Sequence, residues 1–335
     1  MKAAFITQTG GCNSLTWDDF PEPAPGPEDV VIEVAAAAVN PIDTYVRSGA
    51  VAMDLPLPFV PGCDAAGVVT QVGDQVRRVA VGDRVWTTNQ SLQGRQGTMA
   101  ERIAVDQAWV YSLPEPISFQ HAAAAALVGV TAHLGLHREV KIEPGESLLV
   151  IGGAGGVGSM VVQLALASGL RVIATGTTSA KRDCLRSLGV DSVIDPNVAS
   201  IADSVRDMEP DGVNVFWETR REPDFELAIG VLAPRGRMVL MAGRDATPAF
   251  PVGPFYVNEL SVHGFVMFKA TPGEMRRAAE DLTRTMLAGK LTPPIGLCLP
   301  MSEAAEAHRR QEAATLGSGT DQSEAIMGKI VLVNK

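Results

Sequence analysis

An apolar run of strand length, Leu148-Leu149-Val150-Ile151, breaks into Gly152-Gly153-Ala154-Gly155-Gly156-Val157-Gly158. Apolar residues then recur at Val157, Met160, Val161, Leu164 and Ala165, the spacing of one helical face. The glycines therefore stand between a strand and a helix, where Gly153, Gly155 and Gly158 fit G-x-G-x-x-G in the context that gives this pattern meaning. Glycine turns the chain tightly and lets backbone N–H groups reach a pyrophosphate with no Cβ in the way. The following helix aims its positive end at the same anion. No Lys-Ser/Thr follows the glycines, which excludes a Walker loop. The stretch predicts a dinucleotide site in a doubly wound, parallel-sheet α/β domain; its bland alternative is a glycine-rich turn with no ligand.

At 335 residues the chain exceeds the size of most single cores, so two domains are expected. Apolar residues at 46% and charged residues at 20% describe an ordinary enzyme rather than a disordered chain. The net charge of −10, with no long basic run, argues against nucleic acid or an anionic membrane as partner. Cys12, Cys63, Cys184 and Cys298 form no C-x-x-C pair and read as reduced thiols of a cytoplasmic protein. The first residues, Met1-Lys2-Ala3-Ala4-Phe5, resemble a strand and lack signal-peptide anatomy. Residues 147–170 carry no charge and are long enough to span a bilayer, yet a buried strand and helix broken by glycine explain them better.

Residues 1–115 read as all-β, with a strand at 30–34 and turns at Gly73-Asp74 and Gly82-Asp83. Prolines at 21, 23, 25, 27, 56, 58 and 61 keep the intervening segments irregular. An alanine-rich helix follows over 119–126, with Ser118 as its cap. Beyond the glycines, strands at 171–175, 192–194, 213–217 and 238–241 alternate with helices at 180–188 and 225–232. A late strand is expected over 262–268. Thr271-Pro272-Gly273-Glu274 reads as a capping box opening a helix that stops at Gly289, and residues 329–333 form a last strand. The division is a β-barrel-like domain over 1–120, a nucleotide domain over 121–268, and a tail over 269–335 that returns to the first domain. Ligand would then lie at the carboxyl ends of the parallel strands, in a cleft between the domains.

A cofactor with a free ribose 2′-hydroxyl meets Asp or Glu at the end of the second strand. Here that place holds Thr175-Gly176-Thr177-Thr178-Ser179, followed by Lys181 and Arg182. Thr177 or Ser179 would donate to a 2′-phosphate and Lys181 would oppose its charge, which favours NADPH over NADH. The five histidines show no H-E-x-x-H spacing, and Cys63-Asp64 alone cannot close a tetrahedral site, so no metal is expected. With no G-x-S-x-G elbow either, the chemistry falls to the cofactor.

Over nearly its whole length the chain resembles the zinc-free quinone oxidoreductases of the medium-chain dehydrogenase/reductase superfamily, the group that contains zeta-crystallin. The resemblance rests on Val39-Asn40-Pro41-Ile42-Asp43-Thr44-Tyr45-Val46-Arg47-Ser48-Gly49, Pro61-Gly62-Cys63-Asp64, Gly82-Asp83-Arg84-Val85, Thr131-Ala132 and the glycine stretch. Zinc-dependent relatives carry Gly-His-Glu where this chain has Gly62-Cys63-Asp64. It implies a GroES-like β-barrel catalytic domain plus a Rossmann domain, NADPH dependence and a homodimer through the Rossmann sheet edge. It also implies roles. Asn40 and Tyr45 would lie near nicotinamide and substrate, with Thr131 at the cleft floor. Gly155, Gly156, Val157 and Gly158 would hold the pyrophosphate. Gly243, Arg244, Met267 and Phe268 would pass along the ribose and nicotinamide, largely through backbone atoms.

Several positions depart from that pattern. Val51 stands where many relatives have tyrosine, and Pro196 where they often have Tyr or His. Gly97-Thr98-Met99-Ala100-Glu101-Arg102 replaces Gly-Gly-Tyr-Ala-Glu-Tyr, Trp217-Glu218-Thr219-Arg220-Arg221 replaces a glycine-containing turn, and residues 317–327 are inserted before Gly328-Lys329. The expected reaction is metal-free hydride transfer from NADPH to a quinone, with Asn40 and Tyr45 orienting the acceptor oxygen. Rival readings are an alkenal, enone or enoyl-thioester reductase, a zinc alcohol dehydrogenase and, from another class, a nucleotide-binding structural or RNA-binding protein. The acidic balance weighs against RNA.

Overall fold

The computed structural model describes residues 1–316 and 327–334, so most of the insertion at 317–327 lies outside the described residues. Two compact units divide the chain. The first comprises Met1–Leu127, Ala270–Leu287 and Thr292–Lys335, and the second Val128–Lys269 and Ala288–Leu291.

In the first unit, β1 (Lys2–Phe5) and β2 (Thr16–Asp19) form an antiparallel pair outside the main sheet. The long strand β3 (Asp29–Val39) buries most of its length and ends at Asn40, where the chain turns into helix α1 (Pro41–Ser48). Proline at the first helical position and Asp43, which accepts from the Asn40 N–H at 2.8 Å, start that helix. Gly49, at φ +83°, stops it in the left-handed region. The reading of 1–115 as all-β is thus corrected: a proline that merely interrupts strands elsewhere opens a helix here. Strands β4 (Asp64–Val72), β5 (Arg84–Thr87), β6 (Arg102–Asp106) and β7 (Val110–Ser112) follow.

Helix α2 (Phe119–His133) runs well past the expected end at 126, because Leu127, Val128 and Val130 extend its buried apolar run. It continues as a π-helical segment over Leu134–Glu139. Phe119–Glu139 is long and apolar enough to cross a membrane by composition, and most of it is buried within the protein. Gly135 marks the widening: a Cβ there would meet the Trp217 ring at 2.2 Å, so the indole takes the space a side chain would need.

The second unit is a six-stranded parallel sheet. Its elements are β8 (Ser147–Val150), α3 (Gly156–Ala167), β9 (Arg171–Thr175), α4 (Ser179–Ser187), β10 (Ser192–Ile194) and α5 (Ile201–Met208). Then come β11 (Val213–Glu218), α6 (Phe225–Val231), β12 (Leu232–Leu240), α7 (Val252–Val257) and β13 (Ser261–Gly264). The strand order β10-β9-β8-β11-β12-β13 reverses direction at β8, the doubly wound pattern with its switch point beside the glycines. Leu149 pairs in register with Ile173 and Phe216, and Phe216 with Met238. These side chains form a row across the sheet that packs with Val205, Ala228 and Ile229 of α5 and α6. Such strands are buried on both faces, which is why they read as unbroken apolar runs. The expected strand over 262–268 ends instead at Gly264, where its ladder with Leu240 runs out, and the chain coils into a 3₁₀ turn at Met267–Lys269.

The tail returns to the first unit. Thr271 and Glu274 exchange hydrogen bonds as a capping box before α8 (Pro272–Leu287). Strand β14 (Ile295–Pro300) and helix α9 (Ala304–Leu316) carry no strong periodic signal, so sequence pattern alone does not reveal them. Strand β15 (Lys329–Val333) pairs with both β14 and β3, giving the order β14-β15-β3-β4-β5-β7 with β6 also on β3. That sheet is open, with β14 and β7 at its two ends. Helix α9 packs on α1 through fully buried Arg47, which pairs with Glu312, while buried His308 contacts Met99 Sδ at 3.3 Å.

Candidate functional site

Two constellations carry polar chemistry, one in each unit. In the second unit, β8 ends at Val150 and the chain turns through Gly152 at φ +74°. The Gly152 N–H donates to Thr175 Oγ1 at 3.0 Å and the Gly155 N–H to Gly152 O at 3.0 Å. Gly155 is the N-cap of α3, and the first α-helical bond is from Ser159 N–H to Gly155 O. The N–H groups of Gly156, Val157 and Gly158 precede that bond and are the free donors of the helix start. The three fingerprint glycines do different work. A Cβ on Gly153 would strike Ala174 Cβ at 2.9 Å, and one on Gly158 would strike Gly152 O at 2.3 Å. On Gly155 it would approach only Gly152 O, at 3.3 Å. Gly153 and Gly158 thus close the turn, and Gly155 keeps its mouth clear. A cradle of free N–H groups with bare glycine at its rim fits a pyrophosphate.

Register brings the other expected cofactor residues to this edge. Val150 pairs with Ala174, Trp217 with Val150, Leu240 with Glu218 and with Gly264. The loops bearing Thr177, Gly243, Arg244, Met267 and Phe268 therefore all leave the carboxyl end of the same sheet. Met267 is buried, and Gly243, at φ +85°, lies where a Cβ would meet Arg221 O at 2.6 Å. Beyond β9, Thr178 caps α4 by accepting from the Lys181 N–H, and Lys181 Nζ lies 3.4 Å from Thr177 Oγ1. Ser179 opens the helix and is exposed. Arg182 is already committed, to Asp195 at 2.7 Å and to Gly176 O at 3.0 Å. Sequence reasoning missed Asn197, whose amide donates to Thr177 O at 2.8 Å. It also missed Thr219, whose hydroxyl donates to Ile151 O at 2.6 Å and fills the space beside Gly152. Glu218, 1% exposed, is held by Arg220 at 2.7 Å.

The constellation of the first unit is a buried cage. Lys329, at the head of β15 and 5% exposed, donates to Val39 O at 2.7 Å and to Asn40 Oδ1. Asn40 Nδ2 donates to Asp64 Oδ2 at 2.9 Å, and Thr88 Oγ1 donates to Asp64 Oδ1 at 2.6 Å. Cys63 and Asp43 complete the group. Burial, reinforced by Asp64, pushes the Asp43 carboxyl up to about 7, and its thiol neighbour Cys63 is driven far above its ordinary value, mainly by burial. Asp64 is raised by burial against the pull of Lys329, and Lys329 is lowered by burial against the pull of the two carboxylates. One ammonium cannot neutralise two buried carboxylates, so the second, Asp43, holds its proton more tightly. Among the described residues no group of three or more His, Cys, Asp or Glu is arranged to hold a metal ion.

Asn40 has no exposed surface and spends both ends of its amide inside the cage. Tyr45, half-buried on α1, accepts through its carbonyl from the Val51 N–H at 3.2 Å. Val51 lines an open concavity of about 550 Å³ together with Thr9, Gly49, Ala52, Met53, Asp54 and Leu55. Thr131 belongs to the second unit, on α2, and is 6% exposed.

Comparison with known proteins agrees with both units. The family model of the alcohol dehydrogenase GroES-like domain matches residues 26–115, and that of the zinc-binding dehydrogenases matches residues 156–284. Human quinone oxidoreductase is 31% identical over 335 residues, covering 99% of this chain and 98% of that protein. Tomato (Solanum lycopersicum) 2-methylene-furan-3-one reductase is 37% identical over 257 residues, which are 75% of this chain and 64% of that protein. Among solved structures, Escherichia coli quinone oxidoreductase in complex with NADPH superposes with a TM-score of 0.84 at 26% identity, over 99% of this chain and 100% of that one.

Proposed function

Because the chain belongs to the quinone oxidoreductase family of the medium-chain dehydrogenase/reductase superfamily, we propose that it is an NADPH-dependent reductase of quinones that works without a metal. NADPH supplies the hydride. Gly155, Gly156, Val157 and Gly158 would hold its pyrophosphate on free backbone N–H groups, and Thr177, Ser179 and Lys181 its 2′-phosphate. Gly243, Arg244, Met267 and Phe268 would flank its ribose and nicotinamide, and Thr131 would lie by the nicotinamide. Support for the phosphate assignment comes from the acid-free end of β9, where Lys181 is paired with a hydroxyl while Arg182 is tied to Asp195.

The observation that carries the acceptor side is the concavity at the carboxyl end of α1, where the Val51 N–H at its rim donates to the backbone carbonyl of Tyr45. Its lining is neutral except for Asp54, which suits an uncharged, electron-poor carbonyl compound. Tyr45 would donate through its hydroxyl to the acceptor oxygen as negative charge develops there. Asn40, enclosed in the cage, would act by holding α1 rather than by touching the acceptor. Metal-free chemistry is supported by the donor set itself: Asp64 already accepts from Asn40 and Thr88 beside the Lys329 ammonium. A homodimer is part of the proposal. It is supported by the free edge of β13 and by Val252, Tyr256 and Val257 of neighbouring α7, each more than half exposed. A cytoplasmic location follows from the same reading and from four free thiols.

The test is steady-state NADPH oxidation with quinones, enones, enoyl thioesters and aldehydes. Quinones should give the highest kcat/KM, and Tyr45→Phe should lower kcat by about 10- to 100-fold with the NADPH Kd unchanged. Turnover of an enone with every quinone inert would transfer the assignment to the alkenal and enone reductases, in line with the tomato relative.

A further inference from the structure

We propose that Lys329 is a positioning residue for acceptor reduction, its buried ammonium serving as a built-in cation that fixes the Asn40 amide, the first turn of α1 and thereby Tyr45. The inference rests on the reading of Tyr45 as the group that meets the acceptor. Four stretches of chain converge on this ammonium: the head of β15, the β3–α1 junction at Val39-Asn40, α1 through Asp43, and Cys63-Asp64 at the start of β4. A lysine is an unusual head for a strand that is otherwise Ile-Val-Leu-Val, and burying its charge is costly unless it is paired and hydrogen-bonded.

What Lys329 secures is an orientation. Asn40 presents Oδ1 to the ammonium and Nδ2 to the Asp64 carboxylate. A flipped amide would set Nδ2 against Nζ and Oδ1 against Oδ2, a repulsion at both ends. The amide is thus locked by two opposite charges that also compensate each other. Its backbone N–H is bonded to Asp43 Oδ2, so the lock passes to the first turn of α1. Tyr45 lies two residues further on, and its carbonyl holds Val51 at the rim of the concavity. A buried residue 284 positions away in the chain would in this way set the placement of a group that meets the acceptor.

Two variants test the assignment. Lys329→Met leaves Asp64 buried without its cation and is expected to fold poorly. The double variant Lys329→Met/Asp64→Asn removes both charges and should recover a Tm near that of the parent. In the double variant we expect kcat for quinone reduction at least 30-fold lower and the NADPH Kd within twofold. Amide hydrogen exchange of α1 should be at least tenfold faster, with α3 unchanged. A double variant with parental kcat and parental exchange in α1 would overturn the proposal. So would a loss of kcat with exchange in α1 unchanged. If the parent protein reduces no acceptor, the reading of function fails, and exchange in α1 alone decides the role of Lys329.

Discussion

The glycine cradle of the second unit and the lysine cage of the first solve opposite problems. The cradle is made by leaving side chains out: a Cβ on Gly158 or Gly153 would lie within 3 Å of a neighbouring atom, and the helix start supplies donors that need no side chain. The cage is made by putting charges in, with Lys329, Asp64 and Asp43 all buried and one ammonium set against two carboxyl groups. A backbone site tolerates changes of pH and is intolerant of added volume. A charged cage tolerates little change in protonation or pairing.

The sharpest way to break the comparison is to add one methyl group. Gly158→Ala should cost about 3 kcal/mol or more in stability, because the new Cβ would lie 2.3 Å from Gly152 O. Gly155→Ala, with only a 3.3 Å approach, should stay within about 1 kcal/mol yet still weaken NADPH binding at the rim. Urea unfolding and cofactor titration separate the two effects, and equal losses of stability would refute the division of labour between these glycines.

Protonation comes next, and two buried groups of the first unit carry the test. His308 is driven down to about 3 by burial and by neighbouring Arg47. Its contribution to stability is complete above the unfolded value near 6.5 and drains away as pH falls toward 3. Asp43, raised to about 7, contributes in the opposite sense: its part is complete below 3.8 and is lost as pH rises through 7. Between pH 5 and 6.5 the two slopes oppose each other. His308→Gln should expose the Asp43 slope and leave a variant more stable at pH 5 than at pH 7, by up to about 2 kcal/mol relative to the parent. Parallel pH profiles for parent and variant, measured by thermal unfolding, would exclude it.

The smallest effect concerns the one place where the cofactor reading depends on a side chain. Lys181→Ala should raise the NADPH Kd about tenfold, as expected for loss of a charge-assisted contact. The NADH Kd should change by less than twofold. Equal effects on both nucleotides would remove Lys181 from the 2′-phosphate site.

The same contrast explains what the sequence disclosed. Gly153, Gly155 and Gly158 lie within six residues, and their flanking strand and helix are each encoded locally, so cradle and parallel sheet were legible at once. Lys329 and Asn40 meet across 289 residues, a distance no periodicity spans. The clue was a cation heading an otherwise apolar strand, and it read as an ordinary strand start. Asn40 was assigned to the acceptor from its place in a motif, yet its amide is consumed by Lys329 and Asp64. Short local pairings misled in the other direction: Phe265 to Phe268 look strand-like, but β12 offers no partner beyond Leu240.

The pairing of β15 with β3 also has a consequence for biosynthesis. The second unit is almost continuous in sequence, and its sheet can assemble as soon as β13 has left the ribosome. The first unit must wait: the partner of Ala36–Val39 of β3 and the only lysine of the cage arrive about 290 residues after the strand they complete. Until then the Ala36–Val39 stretch of β3 lacks the strand that pairs with it on that side. The cation of the cage thus reaches the β3–α1 junction only after both of its carboxylates have been made.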